Sequence, residues 1–400
     1  MENTKVCVYA ICKNEILNIQ RWLECIKGAD LVCIVDTGST DGSKDILRSY
    51  CKSEDIDIYE DYNISPDDFS FSYARNIALK AAMDKIYYAS KNTDEMKNWV
   101  LVSLDLDEFL EEGSIDKIRE AWNPNYDTME MTAKNPENGG YIEQIVNYKI
   151  HSISCIWIRD VHETLLFEDK HEKDWVVGHC GASYIHDQDK NKPRNYYNIL
   201  LHSYRSNNDK SIQTLTYLAQ ESIERNLWDD AYKFSNEALV QLYTNEEDNY
   251  YMDYQYILCI NCYLAEYYFH NELYNDSYNG IKYCIKIFAL GKYPKIKRIY
   301  KRAAEIAWKS NNKREAIMLY YQCLEIKQPP ACWIEDFDLY KTEAIVQNYI
   351  DLSNAYYYCF LDNPLGCESI YYAELACKLD PDNELVTNNL KFLKDFYTVS

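Results

Sequence analysis

Nowhere in its 400 residues does the chain hold a run of about 18 apolar residues, so no segment reads as a membrane-spanning helix. The opening Met1-Glu2-Asn3-Thr4-Lys5 leads into a strand-like run and not into a signal-peptide core with a cleavage site, which points to a cytoplasmic protein. Positive charge is scarce: 42 Lys and Arg stand against 64 Asp and Glu, a formal net charge of −22. That balance argues against general binding to nucleic acid or to an anionic membrane surface and leaves room for a local basic site. Paired cysteine motifs are scarce as well. Cys259-Ile260-Asn261-Cys262 is the only C-x-x-C, lies in an apolar helical run and has no second pair, so it implies neither zinc nor redox chemistry. The 15 cysteines are odd in number and scattered, which reads as reduced, mostly buried thiols. Glycine nearly vanishes after about residue 206, where tyrosine becomes dense and amphipathic helical patterns replace strands.

What is present in the first half is an alternation of strand and helix patterns. Residues 5–11 (Lys-Val-Cys-Val-Tyr-Ala-Ile) form a buried-strand run, and Ile16, Ile19, Leu23 and Ile26 fall at helical spacing. Residues 31–35 are a second apolar run, ending in Asp36 and the turn sequence Thr37-Gly38-Ser39-Thr40-Asp41-Gly42. A helix over 43–51, a strand over 56–59, a long helix over 69–88 and a strand over 99–104 follow. This order predicts a largely parallel α/β sheet with right-handed crossovers. Asp36 and the cluster Asp105-Leu106-Asp107-Glu108 then share one rim, at the carboxyl ends of strands, where open α/β sheets bind ligands. Two Asp one residue apart suit a hard divalent cation that shares its other positions with water and a diphosphate. The alternative is that Asp105 caps a following helix and the other acids are solvated.

Four segments, in order and spacing, resemble the successive motifs of family 2 glycosyltransferases with the GT-A fold. They are Ala10-Ile11-Cys12-Lys13-Asn14-Glu15, Val35-Asp36-Thr37-Gly38-Ser39-Thr40-Asp41-Gly42, Phe69-Ser70-Phe71-Ser72-Tyr73-Ala74-Arg75-Asn76 and Asp105-Leu106-Asp107-Glu108. Val161-His162-Glu163 and Tyr184-Ile185-His186 resemble late motifs of the branch fused to tetratricopeptide repeats, which includes sublancin-type peptide S-glycosyltransferases. The resemblance implies a Rossmann-like GT-A domain over residues 1–206 and a tetratricopeptide-like helical domain over 207–400. It also implies inverting transfer of a hexose from a nucleotide-sugar donor, UDP-glucose or UDP-N-acetylglucosamine, to an acceptor.

The resemblance assigns roles residue by residue. Asp36 and Thr37 would hold the nucleoside, Asp36 at its base or ribose; a turn followed by an Asp41 helix cap is the plainer reading. Arg75, with Asn76 at the start of a helix, would clamp phosphate or hold the Asp36 loop, unless it is an exposed helix arginine. A metal, Mg²⁺ or Mn²⁺, would fall to Asp107 first, with Asp105 touching ribose or a metal-bound water and His186 as a further ligand. Such an ion acts as a Lewis acid on the leaving diphosphate. His186, beside Asp187 and Asp189, reads otherwise as a solvated loop residue. The acceptor's proton needs a carboxylate or imidazole within hydrogen-bond reach. Glu163 is the candidate base, His162 positions acceptor or donor, and Asp107 and Glu108 are the competing carboxylates, Glu108 being spare if Asp107 binds metal; pairing with Arg159 is the other fate of Glu163. Lys190, Lys192 and Arg194 form either a lid over the diphosphate or a solvated linker face.

In the second half four helix pairs can be phased on small residues. Second helices carry Ala231/Ala238, Ser277/Cys284, Ala316/Cys323 and Ser369/Ala376, and twelve residues before the first member stand Ala219, Ala265, Ala304 and, in the fourth, Tyr357. Small residues at these offsets let paired helices cross closely. The marks Ala231, Ser277, Ala316 and Ser369 are 46, 39 and 53 residues apart, longer than the usual ~34, so inserts are expected. Asp380 is expected to cap a last helix over 382–397, with Pro381 in its first turn. Most tyrosines should be packing, some lining a concave peptide-binding face or a homodimer interface. A repeat array on a transferase points to a protein or peptide acceptor. A cell-surface saccharide or lipid-linked acceptor, and a non-catalytic interaction protein, are the competing readings.

Overall fold

A computed structural model describes residues 4–51, 56–60, 69–137, 140–168, 170, 174–187, 196–244, 254–289, 294–327, 339, 341–361 and 364–399. The chain divides into two compact units, Met1–Arg205 and Ser206–Ser400. Lys190, Lys192 and Arg194 lie outside the described residues.

In the first unit the strands are β1 (Lys5–Cys12), β2 (Leu31–Asp36), β3 (Ile56–Glu60), β4 (Trp99–Ser103), β5 (Glu108–Leu110), β6 (Thr128–Glu137), β7 (Gly140–His151), β8 (Cys155–Ile158), β9 (Thr164–Phe167) and β10 (Val177–His186). The helices are α1 (Ile19–Cys25), α2 (Ser43–Cys51), α3 (Phe71–Ala89), α4 (Thr93–Met96), α5 (Ser114–Ala121) and, at its end, α6 (Tyr196–Ser206). Eight strands form one sheet in the order β3-β2-β1-β4-β7-β6-β10-β5, and β8 and β9 pair separately. The expected parallel pairing holds for β3, β2, β1 and β4. Beyond β4 the sheet is mixed, because β6 and β7 are consecutive strands of a hairpin and can only pair antiparallel.

Alternation along β1 divides the core in two. Val6, Val8 and Ala10 pack with Ile19, Trp22, Leu47 and Ile118, whereas Cys7 and Tyr9 pack with Ala78, Ala82 and Ile86 of α3 and with Trp157 and Leu165. Both faces are covered, which is why the strand reads as an unbroken apolar run. Two helix starts differ from the sequence pattern. α1 begins at Ile19, not Ile16, because the backbone N–H groups of Glu15 and Ile16 donate to Ser43 Oγ and Asp41 Oδ2 at 3.0 and 3.1 Å. α3 begins at Phe71, not Phe69, because Ser70 is an extended N-cap that accepts the N–H of Tyr73.

The second unit is helical: α7 (Ile212–Glu224), α8 (Trp228–Thr244), α9 (Tyr254–His270), α10 (Tyr274–Ala289), α11 (Lys297–Lys309), α12 (Lys313–Glu325), α13 (Thr342–Cys359), α14 (Glu368–Leu379) and α15 (Glu384–Val399). Consecutive members from α7 to α14 pair as four hairpins. Their small-residue marks, from Ala231/Ala238 through Ser369/Ala376, are fully buried, as are Ala219, Ala265 and Ala304. Three connections share one turn. Asn226, Glu272 and Asn311 adopt φ of 58, 59 and 61°, and the next N–H reaches back to the carbonyls of Ser222, Tyr268 and Ala307 at 2.9 Å or less. This left-handed helix stop reverses the chain in a few residues.

The fourth hairpin departs from the expected phase. Its connection is longer, so the small residue facing Ser369 is Ser353, whose hydroxyl donates to the Ser369 carbonyl at 2.8 Å; Tyr357 instead meets Phe392, Phe396 and Tyr397. The last helix is capped by Asn383, whose Oδ1 accepts the N–H of Leu385 and Val386, and not by Asp380. Most tyrosines pack: Tyr356 stacks on Tyr372 and Tyr267 on Tyr232, while Tyr358 and Tyr371 face outward. Cys262 and Cys284 stand 4.0 Å apart as free thiols.

Candidate active site

The carboxyl ends of β1, β2 and β4 lie on one rim, since Cys12 neighbours Asp36 and Tyr9 neighbours Ser103 in parallel register. Asp36 is buried there. Its Oδ1 accepts the N–H groups of Gly38 and Ser39 at 2.9 and 2.8 Å and faces Lys44 Nζ at 3.5 Å. Gly38, at φ 106°, lets the turn fold back onto the carboxylate. The second oxygen, Oδ2, is buried with no hydrogen-bond partner among the described residues. A buried acceptor without a donor costs roughly 1–3 kcal/mol, so this oxygen is a place where a donor would be held. Thr37 donates its N–H and its hydroxyl to the Cys12 carbonyl, tying the turn to β1.

Arg75 is the hub of the acid cluster. Its Nη1 and Nη2 donate to the two oxygens of Asp105 at 2.7 and 2.8 Å, and its Nε donates to Glu163 Oε1 at 2.5 Å. Lys149, a buried lysine of β7, lies 2.7 Å from Glu108 and 3.6 Å from Asp105. Glu108 also accepts the N–H of Asp105 at 2.9 Å. Burial alone would raise the Asp105 carboxyl, but Arg75 and Lys149 outweigh it and hold the group well below the usual range. Burial dominates at Glu108 and pushes it up against the pull of Lys149. Both cations are stabilised the other way: burial opposes their charge, and the facing carboxylates overcome it.

The sequence-derived candidates therefore separate. Arg75 bridges Asp105 and Glu163, so its fork is taken up by carboxylates and not by the Asp36 loop. Asn76 uses both ends of its amide on the backbone of Trp157, accepting its N–H at 2.8 Å and donating to its carbonyl at 2.7 Å. Asp107 and His186 are brought together by the β5–β10 pairing, in which His186 faces Glu108 and Asp187 donates its N–H to the Asp107 carbonyl. Asp107 Oδ2 and His186 Nε2 are 3.7 Å apart. Burial lowers the His186 imidazole, yet its bond to Asp107 and the charges of Glu108 and Asp107 raise it overall. The expected trio Asp105, Asp107 and His186 is not assembled: among the described residues no group of three His, Cys, Asp or Glu is placed to hold a metal. Asp105 instead has both oxygens bonded to Arg75.

Glu163 follows a short loop after β8 in which Arg159 and His162 adopt φ of 74 and 52°, conformations disfavoured for non-glycine residues. The loop is fastened to the start of α3, where Phe71 donates its N–H to the Asp160 carbonyl at 3.0 Å. Glu163 pairs with Arg75 and not with Arg159, and His162 is exposed with its ring 5.7 Å from that of Tyr196. Sequence reading missed Lys149. Its signal is a lone lysine before Ile150 in a strand with a buried end, a place where an ammonium needs a partner.

Residues 7–182 match the family model described as glycosyl transferase family 2. Among solved structures the chain is similar to S. aureus TarS 1-349 in complex with UDP-GlcNAc, at 12% identity and a TM-score of 0.35, covering 80% of this chain and 92% of that one. It is also similar to YrrB, a TPR protein with an unusual peptide-binding site, at 13% identity and a TM-score of 0.35, covering 50% of this chain and 84% of that one. Among curated proteins no sequence matches. Among the described residues no helix is long and apolar enough to cross a membrane.

Proposed function

We propose that the chain is a metal-dependent, inverting glycosyltransferase that moves a hexose from a UDP-sugar to a protein or peptide acceptor. The observation that carries this reading is the partition of the rim acids. Among the described residues Asp105, Glu108 and Glu163 are ion-paired to Arg75 and Lys149, whereas Asp107 meets only His186 and Asp36 keeps a buried oxygen without a donor. Asp36 would accept an N–H or O–H of the nucleoside. Four carboxylates around two cations leave the cluster negative, which repels a diphosphate unless a cation joins it.

Asp107 and His186 would hold Mg²⁺ or Mn²⁺, a small protein ligand set of the kind expected where water and diphosphate complete the sphere. The bound ion supplies Lewis-acid stabilisation of the departing diphosphate. Glu163 would take the acceptor's proton: Arg75 fixes its Oε1, and Oε2 makes no hydrogen bond among the described residues. The helical hairpins support a peptide acceptor, since stacked helix pairs offer extended binding faces. The test is UDP release from UDP-glucose and UDP-N-acetylglucosamine with Mn²⁺, Mg²⁺ or EDTA. Metal-stimulated release that disappears in Asp107→Ala, at unchanged thermal stability, is expected. Full release in EDTA would remove the metal, and no release from either donor would remove the UDP-hexose transferase.

A further inference from the structure

Beneath Arg75 runs a chain of buried polar groups that the proposed chemistry does not use. Trp157 donates its Nε1–H to the Tyr9 hydroxyl at 2.7 Å, and that hydroxyl lies 2.6 Å from His151 Nε2. His151 Nδ1 is 2.8 Å from the Ser152 carbonyl, which can only accept, so Nδ1 carries the proton and Nε2 accepts from Tyr9. These three bonds then point one way: Trp157 to Tyr9, Tyr9 to His151, His151 to Ser152, with Cys155 Sγ also 3.1 Å from Nδ1. Burial keeps the imidazole neutral by lowering its pKa to about 4, and it pushes the Tyr9 hydroxyl up, so both remain in the states this order needs.

The backbone of Trp157 is fixed independently by the two bonds from Asn76, the neighbour of Arg75 on α3. The Arg75 guanidinium sits 5.2 Å from the Trp157 ring centroid, within cation–π range. Trp157 is only 2% exposed, so the indole has no room to turn. Six residues after it comes Glu163, the other partner of Arg75.

We infer that Trp157, held at its indole by Tyr9 and His151 and at its backbone by Asn76, is a positioning residue that sets where Arg75 meets Asp105 and Glu163. This inference rests on the transferase reading for its kinetic consequence but not for its geometric one. Trp157→Phe keeps an aromatic face and removes the indole N–H; Tyr9→Phe removes the hydroxyl that receives it. In the full chain each should lower kcat for transfer roughly tenfold and leave the donor KM within about twofold, because misplacement affects the reacting geometry more than donor binding.

In the Arg75→Lys background Trp157→Phe should add little, since its effect passes through Arg75. The second readout is the Arg75 Nε–H resonance, identified by its absence in Arg75→Lys. It should shift or broaden in both variants. An unmoved resonance, or losses that add in full to those of Arg75→Lys, overturns the inference. A wild-type chain without turnover overturns the transferase reading instead, and the resonance still decides the positioning.

Discussion

Arg75→Met would remove the side chain that, among the described residues, joins Asp105 to Glu163. Arg75 is 6% exposed and gives up two hydrogen bonds to Asp105, one to Glu163 and a longer one, 3.4 Å, to Ser103 Oγ. Asp105 would keep Lys149 at 3.6 Å, but Glu163 would keep no cation among the described residues. Removing one partner of a buried ion pair costs roughly 3–5 kcal/mol. Side-chain exposures of 26% for Asp105 and 13% for Glu163 let water relieve part of this, which favours the low end, about 3 kcal/mol. For a unit of this size that is about 6–12 °C in Tm. Arg75→Lys keeps a charge but not the fork, so its loss should fall between wild type and Met. The assay is thermal and urea unfolding of the full chain, with transfer measured in parallel. Transfer should drop at least about 10²-fold in Met, since Glu163 loses its orientation. A Tm within about 1 °C of wild type, with transfer intact, would refute the hub role.

Glu163→Gln keeps size and should retain donor binding while transfer falls about 10²-fold or more; near-wild-type turnover would move the base elsewhere. The buried, neutral His151 should make stability pH-dependent. Its folded pKa, about 4, lies below the ordinary 6.5, so the unfolded chain takes the proton first as pH falls. This contribution is complete above pH ~6.5 and is lost towards pH ~4, about 3 kcal/mol in all, and urea unfolding of wild type minus His151→Asn across that range should show it. A flat difference would mean that the imidazole is not neutral in the fold. In the helical unit Ala304→Leu should cost about 1–3 kcal/mol in denaturant unfolding, because the residue is fully buried at a helix crossing; an unchanged midpoint would mean that the helices part freely there.

The sequence determined those features that depend on local pattern. Apolar runs defined β1, β2 and β4, and the acids that follow the last two put Asp36 and Asp105 on one rim, because strand direction follows from βα order. Small residues at fixed offsets defined the helical hairpins, because only they allow close crossing. Tertiary structure decided how the acids are shared. Two Asp in Asp105-Leu106-Asp107 look alike in sequence, and only the approach of Arg75 from α3 and Lys149 from β7 separates an ion-paired Asp105 from an Asp107 that meets His186. Asn76 reads as a ligand residue until β8 folds onto it, and Trp157 gives no sign of its bond to Tyr9 across 148 positions of chain. Such pairings depend on which elements lie adjacent in space, and no local periodicity records that.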